Sequence, residues 1–356
     1  MGSRFSTRKS RQSGLCWGTA LRVAAIALVL VGWVLADPTG TAVAEALNPP
    51  AFSTIDVLPE GERTWLRDAV AYQISMGRSL DMAVREIKAL KSFPEQWSEP
   101  QLAALVGAMY QRLTAPPQRP SRRPRALALI GDRYHDPAYI RPPLEEAMEK
   151  AGVAVAFLYD VRQLVPQVVF QYDLLVILRD GMLWPDPQPN GSFGKPVFWL
   201  TEEQEMTVAS FVWAGGGFLA LHNATALKAL NETESLYLRV LGASYAGHGP
   251  AQEGYYVRVL NGSHPVTAGV HDYFVEDERH WPRLYVSDAL VLLESASGEE
   301  TSLHGFVRTF GLGRVCYLAN GHNRRVLESD VMQRILRNAA RWCLEPRLDV
   351  VENLER

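Results

Sequence analysis

The amino-acid sequence predicts a doubly wound α/β domain built on a parallel sheet and preceded by a small helical segment. Three observations carry that expectation. From Arg125 onward, short apolar runs alternate with stretches of helical periodicity, as strands do when crossover helices bury them on both faces. Upstream of Arg125 the apolar spacing is helical. Several of the apolar runs stop at a histidine: His135 follows the first, His222 ends the fourth and His322 follows the last.

In chain order, residues 63–76, 80–90 and 100–113 carry apolar positions at helical spacing, and Ser98 with Pro100 marks a helix start. This module, residues 45–113, has no histidine, and it reads as a packing or docking unit. Residues 114–125 hold Pro116, Pro117, Pro120 and Pro124 among four arginines, an extended linker. The α/β domain is expected over residues 126–345, with a tail over 346–356. Strands are expected at 126–130, 153–158, 174–178 and 218–221, and later at 255–260, 289–293, 303–309 and 315–318. Helices are expected at 143–151, at 201–213 behind a Thr201 to Gln204 capping box, and at 329–343. The connection from Arg179 to Leu200 is long at 22 residues. It carries Trp184, Phe193 and Trp199, aromatic groups able to stack on sugar rings.

Composition narrows the function classes. The 356 residues hold 36 Lys plus Arg and 39 Asp plus Glu, a net charge of −3, which excludes a basic nucleic-acid binder. Residues 1–44 hold five of the positive charges and one negative, with the basic group ahead of an unbroken apolar stretch at residues 23–36. That is the layout of a secretory signal, with Ala42-Val43-Ala44 as a cleavage site. Export to the periplasm or the extracellular space is expected. An uncleaved membrane anchor is the variant and the one membrane contact foreseen. Without this segment the chain carries 31 positive and 38 negative charges. Cys316 and Cys343 then remain, and both are expected as buried core thiols.

All eight histidines fall within residues 135–322. Strand ends of a doubly wound sheet share one rim, where ligands bind. The runs GGGFLALHNAT (from Gly215), LGASYAGHGPAQ (from Leu241), SHPVTAGV (from Ser263), Glu276-Asp277-Glu278 and GLGRVCYLANGHN (from Gly311), with Tyr134-His135, come in an order that resembles the ThuA-like, or trehalose-utilisation, family. The resemblance covers about residues 125–345. It implies a flavodoxin-like sheet of the class I glutamine amidotransferase-like type and a role in sugar metabolism, with keto-sugars or glycosides as the substrates to expect. Amidotransferases of that type place a cysteine nucleophile where this sequence has Leu221-His222-Asn223, so thioester glutaminase chemistry is not expected.

Chemistry on a keto-sugar needs a base beside a carbonyl-adjacent proton and a donor for the developing oxyanion. His222 and His248 are the candidate bases, with Asp277 and Glu278 as acid/base or orienting carboxylates. His135, Asn223, His322, Asn323 and Trp184 are candidate substrate contacts. The sequence departs from the family pattern at Asn323, where an acid is expected, and at Gly249, where a proline is expected. Two alternatives stand beside the enzyme: a non-catalytic sugar- or protein-binding module, and a metal-dependent hydrolase. For the latter, a divalent ion would be held by His135, His222, His248 and Glu278, ligand types suited to zinc.

Overall fold

The computed structural model describes residues 55–56, 58–90, 97–115, 123–186, 194–228 and 235–354, with side chains to residue 345. The export segment, most of the linker, residues 187–193 of the long connection and the side chains of the tail lie outside the described residues. Among the described residues no helix is long and apolar enough to cross a membrane.

Among the described residues, the first long helices are α1 (Glu60–Ser75), α2 (Leu80–Lys88) and α3 (Glu99–Thr114). The Ser79 hydroxyl accepts the Met82 amide at 3.3 Å to open α2, and Ser98 with Gln101 closes a capping box on α3. Their apolar faces are not self-contained. Leu66, Val70, Ile74, Ala83, Ile87 and Val106 share one continuous core with Ile140 and Leu144 of the next helix of the α/β region.

The α/β region then runs β1 (Arg125–Ile130), α4 (Pro137–Ala151), β2 (Ala154–Leu158), α5 (Pro166–Val169) and β3 (Leu174–Leu178). A short antiparallel pair follows, β4 (Met182–Leu183) and β5 (Val197–Phe198), then α6 (Glu202–Trp213), β6 (Gly217–Leu221), α7 (Leu236–Leu241), β7 (Ala243–His248) and β8 (Glu253–Val259). The chain continues through β9 (Tyr273–Asp277), β10 (His280–Leu284), β11 (Leu290–Ser297), β12 (Glu300–Phe310), β13 (Gly313–Leu318), α8 (Arg324–Glu328) and α9 (Asp330–Leu354).

The central sheet has the order β2-β1-β3-β6-β13-β12-β11-β8-β9. Its first five strands pair in parallel. Successive residues of β1 alternate between two cores. Ala126, Ala128 and Ile130 join Ile140, Leu144, Ile335 and Leu336 of α4 and α9, whereas Leu127 and Leu129 join Val208, Phe211 and Val212 of α6. Helices therefore cover both faces, as a doubly wound sheet requires.

The second half departs from the expected parallel arrangement. Strands β12, β11, β8 and β9 are antiparallel neighbours, and β7 pairs with β10 in a separate ribbon. The sequence pattern missed β7, β9 and β10 because most of their residues are half-buried or exposed, so they lack the continuous apolar run of a central strand. Helix α4 begins at Pro137, six residues before the expected start. Asp136 caps it by accepting the Ala138 amide at 2.8 Å, and Pro142 and Pro143 lie inside the helix instead of opening it. Cys316 and Cys343 are free and buried, and burial pushes the Cys343 thiol up to about 12.

Candidate functional site

Adjacent strands β1, β3, β6 and β13 end on one rim and deliver Asp132 and His135, Asp180, His222, and His322 to one place. The β7–β10 ribbon adds two more imidazoles, because His248 and His280 are register partners in its ladder. Glu278, just before β10, is the meeting point. Its Oε2 lies 2.9 Å from His280 Nε2, 3.3 Å from His222 Nε2 and 3.5 Å from His322 Nδ1, and its Oε1 lies 3.2 Å from His248 Nδ1. Burial alone would raise the Glu278 carboxyl, but the imidazoles of His222, His280 and His322 outweigh it and hold the group well below the usual carboxylate range.

His222 is the only non-glycine residue with positive φ among the described residues, at 50°. Left-handed backbone at a non-glycine residue costs energy and marks an over-determined position. Two bonds hold it there. The Tyr317 hydroxyl donates to the His222 carbonyl at 2.9 Å, and His222 Nδ1 lies 2.9 Å from the Ala319 carbonyl. A carbonyl only accepts, so Nδ1 carries the proton and Nε2 presents a lone pair toward Glu278. His222 is fully buried, and its Nε2 has no hydrogen-bond partner. Burial pulls the imidazole below its ordinary value.

His135 is oriented by a similar device. Its Nδ1 lies 2.8 Å from Asp132 Oδ1, and its Nε2 lies 3.1 Å from His322 Nδ1. Asp132 is itself buried, accepting the amides of Tyr134, His135 and Asp180 and the Asn223 side chain. Burial pulls His280 well below the ordinary imidazole value, and the neighbouring His222 adds to that. His322 goes the other way. Burial lowers it, but the Glu278 carboxylate more than compensates and leaves it raised.

A cavity of about 260 Å³ opens onto this cluster. Tyr134, His135, Asp180, Met182, Asn223, Tyr245, His248, Glu278 and His280 are among its lining residues. The buried Asn223 Oδ1 has no hydrogen-bond partner, which leaves an acceptor at the wall. Asp180 is raised well above the usual carboxylate value by burial and by the nearby Asp132 charge. Four ligand-bearing residues, His135, His222, Glu278 and His322, have donor atoms within 4.8 Å of one another and could hold a metal ion.

The structure thus brings His135, His222, Asn223, His248, Glu278 and His322 together and places three other candidates elsewhere. Asp277 faces away from the cavity, accepting the Gly321 amide at 2.9 Å and the amide side chains of Asn320 and Asn323 at 3.1 Å. It pins the loop that carries His322, where Gly321 takes φ 140°. Asn323 caps α8 through the Val326 amide, and its amide on Asp277 explains why an acid is absent there: two carboxylates would face each other. Trp184 is buried with the Arg133 guanidinium 4.5 Å from its ring centre, and its amide donates to the Met76 carbonyl at the end of α1. It is not among the lining residues. His248 also differs from the foreseen metal set, in which His322 takes its place. Pattern reading missed His280, Asp180 and the two tyrosines. The Glu278-Arg279-His280 spacing was the available signal, since alternate residues of an extended chain share a face.

The family described as "ThuA: Trehalose utilisation" matches residues 125–343. Among solved structures, a protein described as ThuA-like from Bacteroides uniformis ATCC 8492 aligns at 17% identity and TM-score 0.47, covering 64% of this chain and 94% of that one. Another described as ThuA-like, from Parabacteroides merdae ATCC 43184, aligns at 18% identity and TM-score 0.48, covering 62% and 89%. A β-galactosidase from Rahnella sp. R3 aligns at 16% and TM-score 0.41, covering 69% and 34%. No curated protein matches the chain.

Proposed function

Because the chain belongs to the ThuA, or trehalose-utilisation, family, we propose that it acts on a carbohydrate, a keto-sugar or a glycoside, in the histidine-lined cavity at the strand ends. The observation that carries this reading is the convergence of four imidazoles on the Glu278 carboxylate at the edge of a cavity of about 260 Å³. That volume is near the lower end of small-molecule sites, about 300–1,000 Å³, and suits one sugar ring with any second unit outside.

The chemistry follows from what each lining group can do. Tyr134 and Tyr245 offer aromatic surfaces for the ring, and Asn223 Oδ1 offers an acceptor for a hydroxyl. His248 Nδ1 lies 2.6 Å from the Gly249 carbonyl, so Nδ1 holds the proton and Nε2 is the basic nitrogen. Glu278 beside that Nδ1 stabilises the imidazolium formed when Nε2 takes a carbon-bound proton next to the sugar carbonyl. Asp180 lines the cavity, and in its protonated form, which burial favours, it is the donor for the oxyanion that develops. His280 and His322 hold the Glu278 carboxylate in place.

The test is turnover of a panel of keto-sugars and glycosides by the wild-type chain and by Glu278→Gln, which keeps the side-chain shape and removes the charge. Loss of about 100-fold or more in kcat/KM is expected, as for removal of a positioned acid–base group. Unchanged turnover in Glu278→Gln would refute the site. Binding of the panel with no product formed would instead favour the non-catalytic module. We further propose that residues 1–44 direct export. The basic group and the apolar stretch at residues 23–36 support this, and N-terminal sequencing of protein from the producing cell should find Glu45 first.

A further inference from the structure

We propose that the inner end of the cavity is a binding site for one divalent transition-metal ion, held by His135 Nε2, His222 Nε2, His322 Nδ1 and Glu278. The inference does not depend on the carbohydrate reading. It starts from proton bookkeeping among buried groups. Asp132 fixes the proton of His135 on Nδ1, and the Ala319 carbonyl fixes that of His222 on Nδ1. Both Nε2 lone pairs therefore face inward. Nε2 of His222 meets an acidic oxygen, Glu278 Oε2, at 3.3 Å, and Nε2 of His135 meets His322 Nδ1 at 3.1 Å. A lone pair facing a carboxylate is repulsive unless a proton or a metal cation lies between them, and burial disfavours the protonated imidazole at His222. His222 Nε2 is fully buried and has no hydrogen-bond partner, which a metal–nitrogen bond would supply.

The spacings indicate the kind of ion. Ligands at roughly 2.0–2.1 Å around a tetrahedral centre are separated by roughly 3.3–3.4 Å. Three of the six separations here are 3.1, 3.3 and 3.5 Å, and all six lie within 4.8 Å. Imidazole nitrogens with one carboxylate select zinc, manganese, iron or nickel over magnesium and calcium, which prefer all-oxygen shells. The outer contacts are those of metal-binding histidines, which donate the second ring N–H to a carboxylate or a carbonyl. Asp132 does this for His135, and Asp132 is in turn braced by Asn223 Nδ2 at 2.8 Å and the Asp180 amide at 3.0 Å. Glu278 is steadied by His280 at 2.9 Å. Because His135 and Glu278 also line the cavity, a bound ion would be reachable from it.

The experiment uses the untagged chain. Metal content is measured by mass spectrometry after purification, and a chelator-stripped sample is titrated with zinc or manganese while heat release and unfolding temperature are followed. One ion per chain is expected, with an unfolding temperature that rises on metal addition. Glu278→Gln and His222→Gln should weaken binding at least 100-fold, and Asp132→Asn 10- to 100-fold. His271→Gln, outside the cluster, should bind as the wild type does. Two results would overturn the proposal: a folded wild-type chain that takes up no metal at millimolar concentration, or uptake equal in the wild type and in Glu278→Gln, which marks surface binding. Metal content is read whether or not any sugar is turned over, so failure here leaves the carbohydrate reading to its own test.

Discussion

His222 stands in left-handed backbone on the rim where four parallel strands end, and two bonds from β13 and the turn after it keep it there. Tyr317→Phe removes one of them and leaves a buried carbonyl unpaired. A loss of about 1–3 kcal/mol is expected, with turnover falling further than stability because the imidazole loses its aim. Chemical denaturation alongside kinetics checks this, and an unchanged kcat in Tyr317→Phe would show that the hydroxyl does not position His222. Asn323 gives a second prediction at this scale. Asn323→Asp retains a good helix cap but sets a carboxylate against Asp277, whereas Asn323→Ser retains the cap without the charge. We expect Asn323→Asp to be the less stable of the two by about 1 kcal/mol or more, and equal melting temperatures would contradict the role assigned to the amide. Histidines at strand ends were legible in the sequence as a group. Their individual roles were not, because Asp277 and Glu278 are chain neighbours whose side chains diverge, one into the loop bonds and the other into the imidazoles.

Among the elements, the helical segment touches the wall of the cavity. The Met76 carbonyl at the end of α1 accepts the Trp184 amide, and the Ser75 carbonyl accepts the Arg179 guanidinium at 3.3 Å. Both residues belong to the connection that presents Asp180 and Met182 to the cavity. Leu66 of α1 is fully buried in the core shared with α4. Leu66→Ala should therefore cost about 2–5 kcal/mol and shift a single unfolding transition. Two separated transitions would show that the segment folds apart from the sheet. Helix periodicity and capping residues made α1 to α3 and α6 readable within a few residues. The contacts to Trp184 and Arg179 were hidden, since they link positions about a hundred residues apart through backbone carbonyls, which carry no side-chain signature.

For the molecule as a whole, the strands of the central sheet other than β9 were readable as apolar runs, but the antiparallel direction of its second half was not, nor were β9 and the β7–β10 ribbon around Glu278 and His280, where few residues are fully buried. Burial also sets the response to acid. His304 is fully buried, and desolvation pushes it down to about 4, against the hydrogen bond to Asn320. The unfolded chain, with an imidazole near 6.5, binds that proton first. Stability is therefore fully present above about pH 6.5 and falls as pH drops toward about 4. Between pH 6.5 and 5 this one group accounts for about 2 kcal/mol. His304→Gln, which still donates to Asn320, should lose less stability than the wild type over that interval in urea titrations. Equal losses would show that His304 does not set the acid response.

We propose that a sugar is bound and transformed in the cavity against Glu278, and a crystal structure of the chain soaked with a keto-monosaccharide would locate it. The ring is expected between Tyr134 and Tyr245, with a hydroxyl on Asn223 Oδ1 and the carbonyl-adjacent carbon facing His248. A ligand bound elsewhere, with this cavity left to water in a chain that still turns the sugar over, would contradict it.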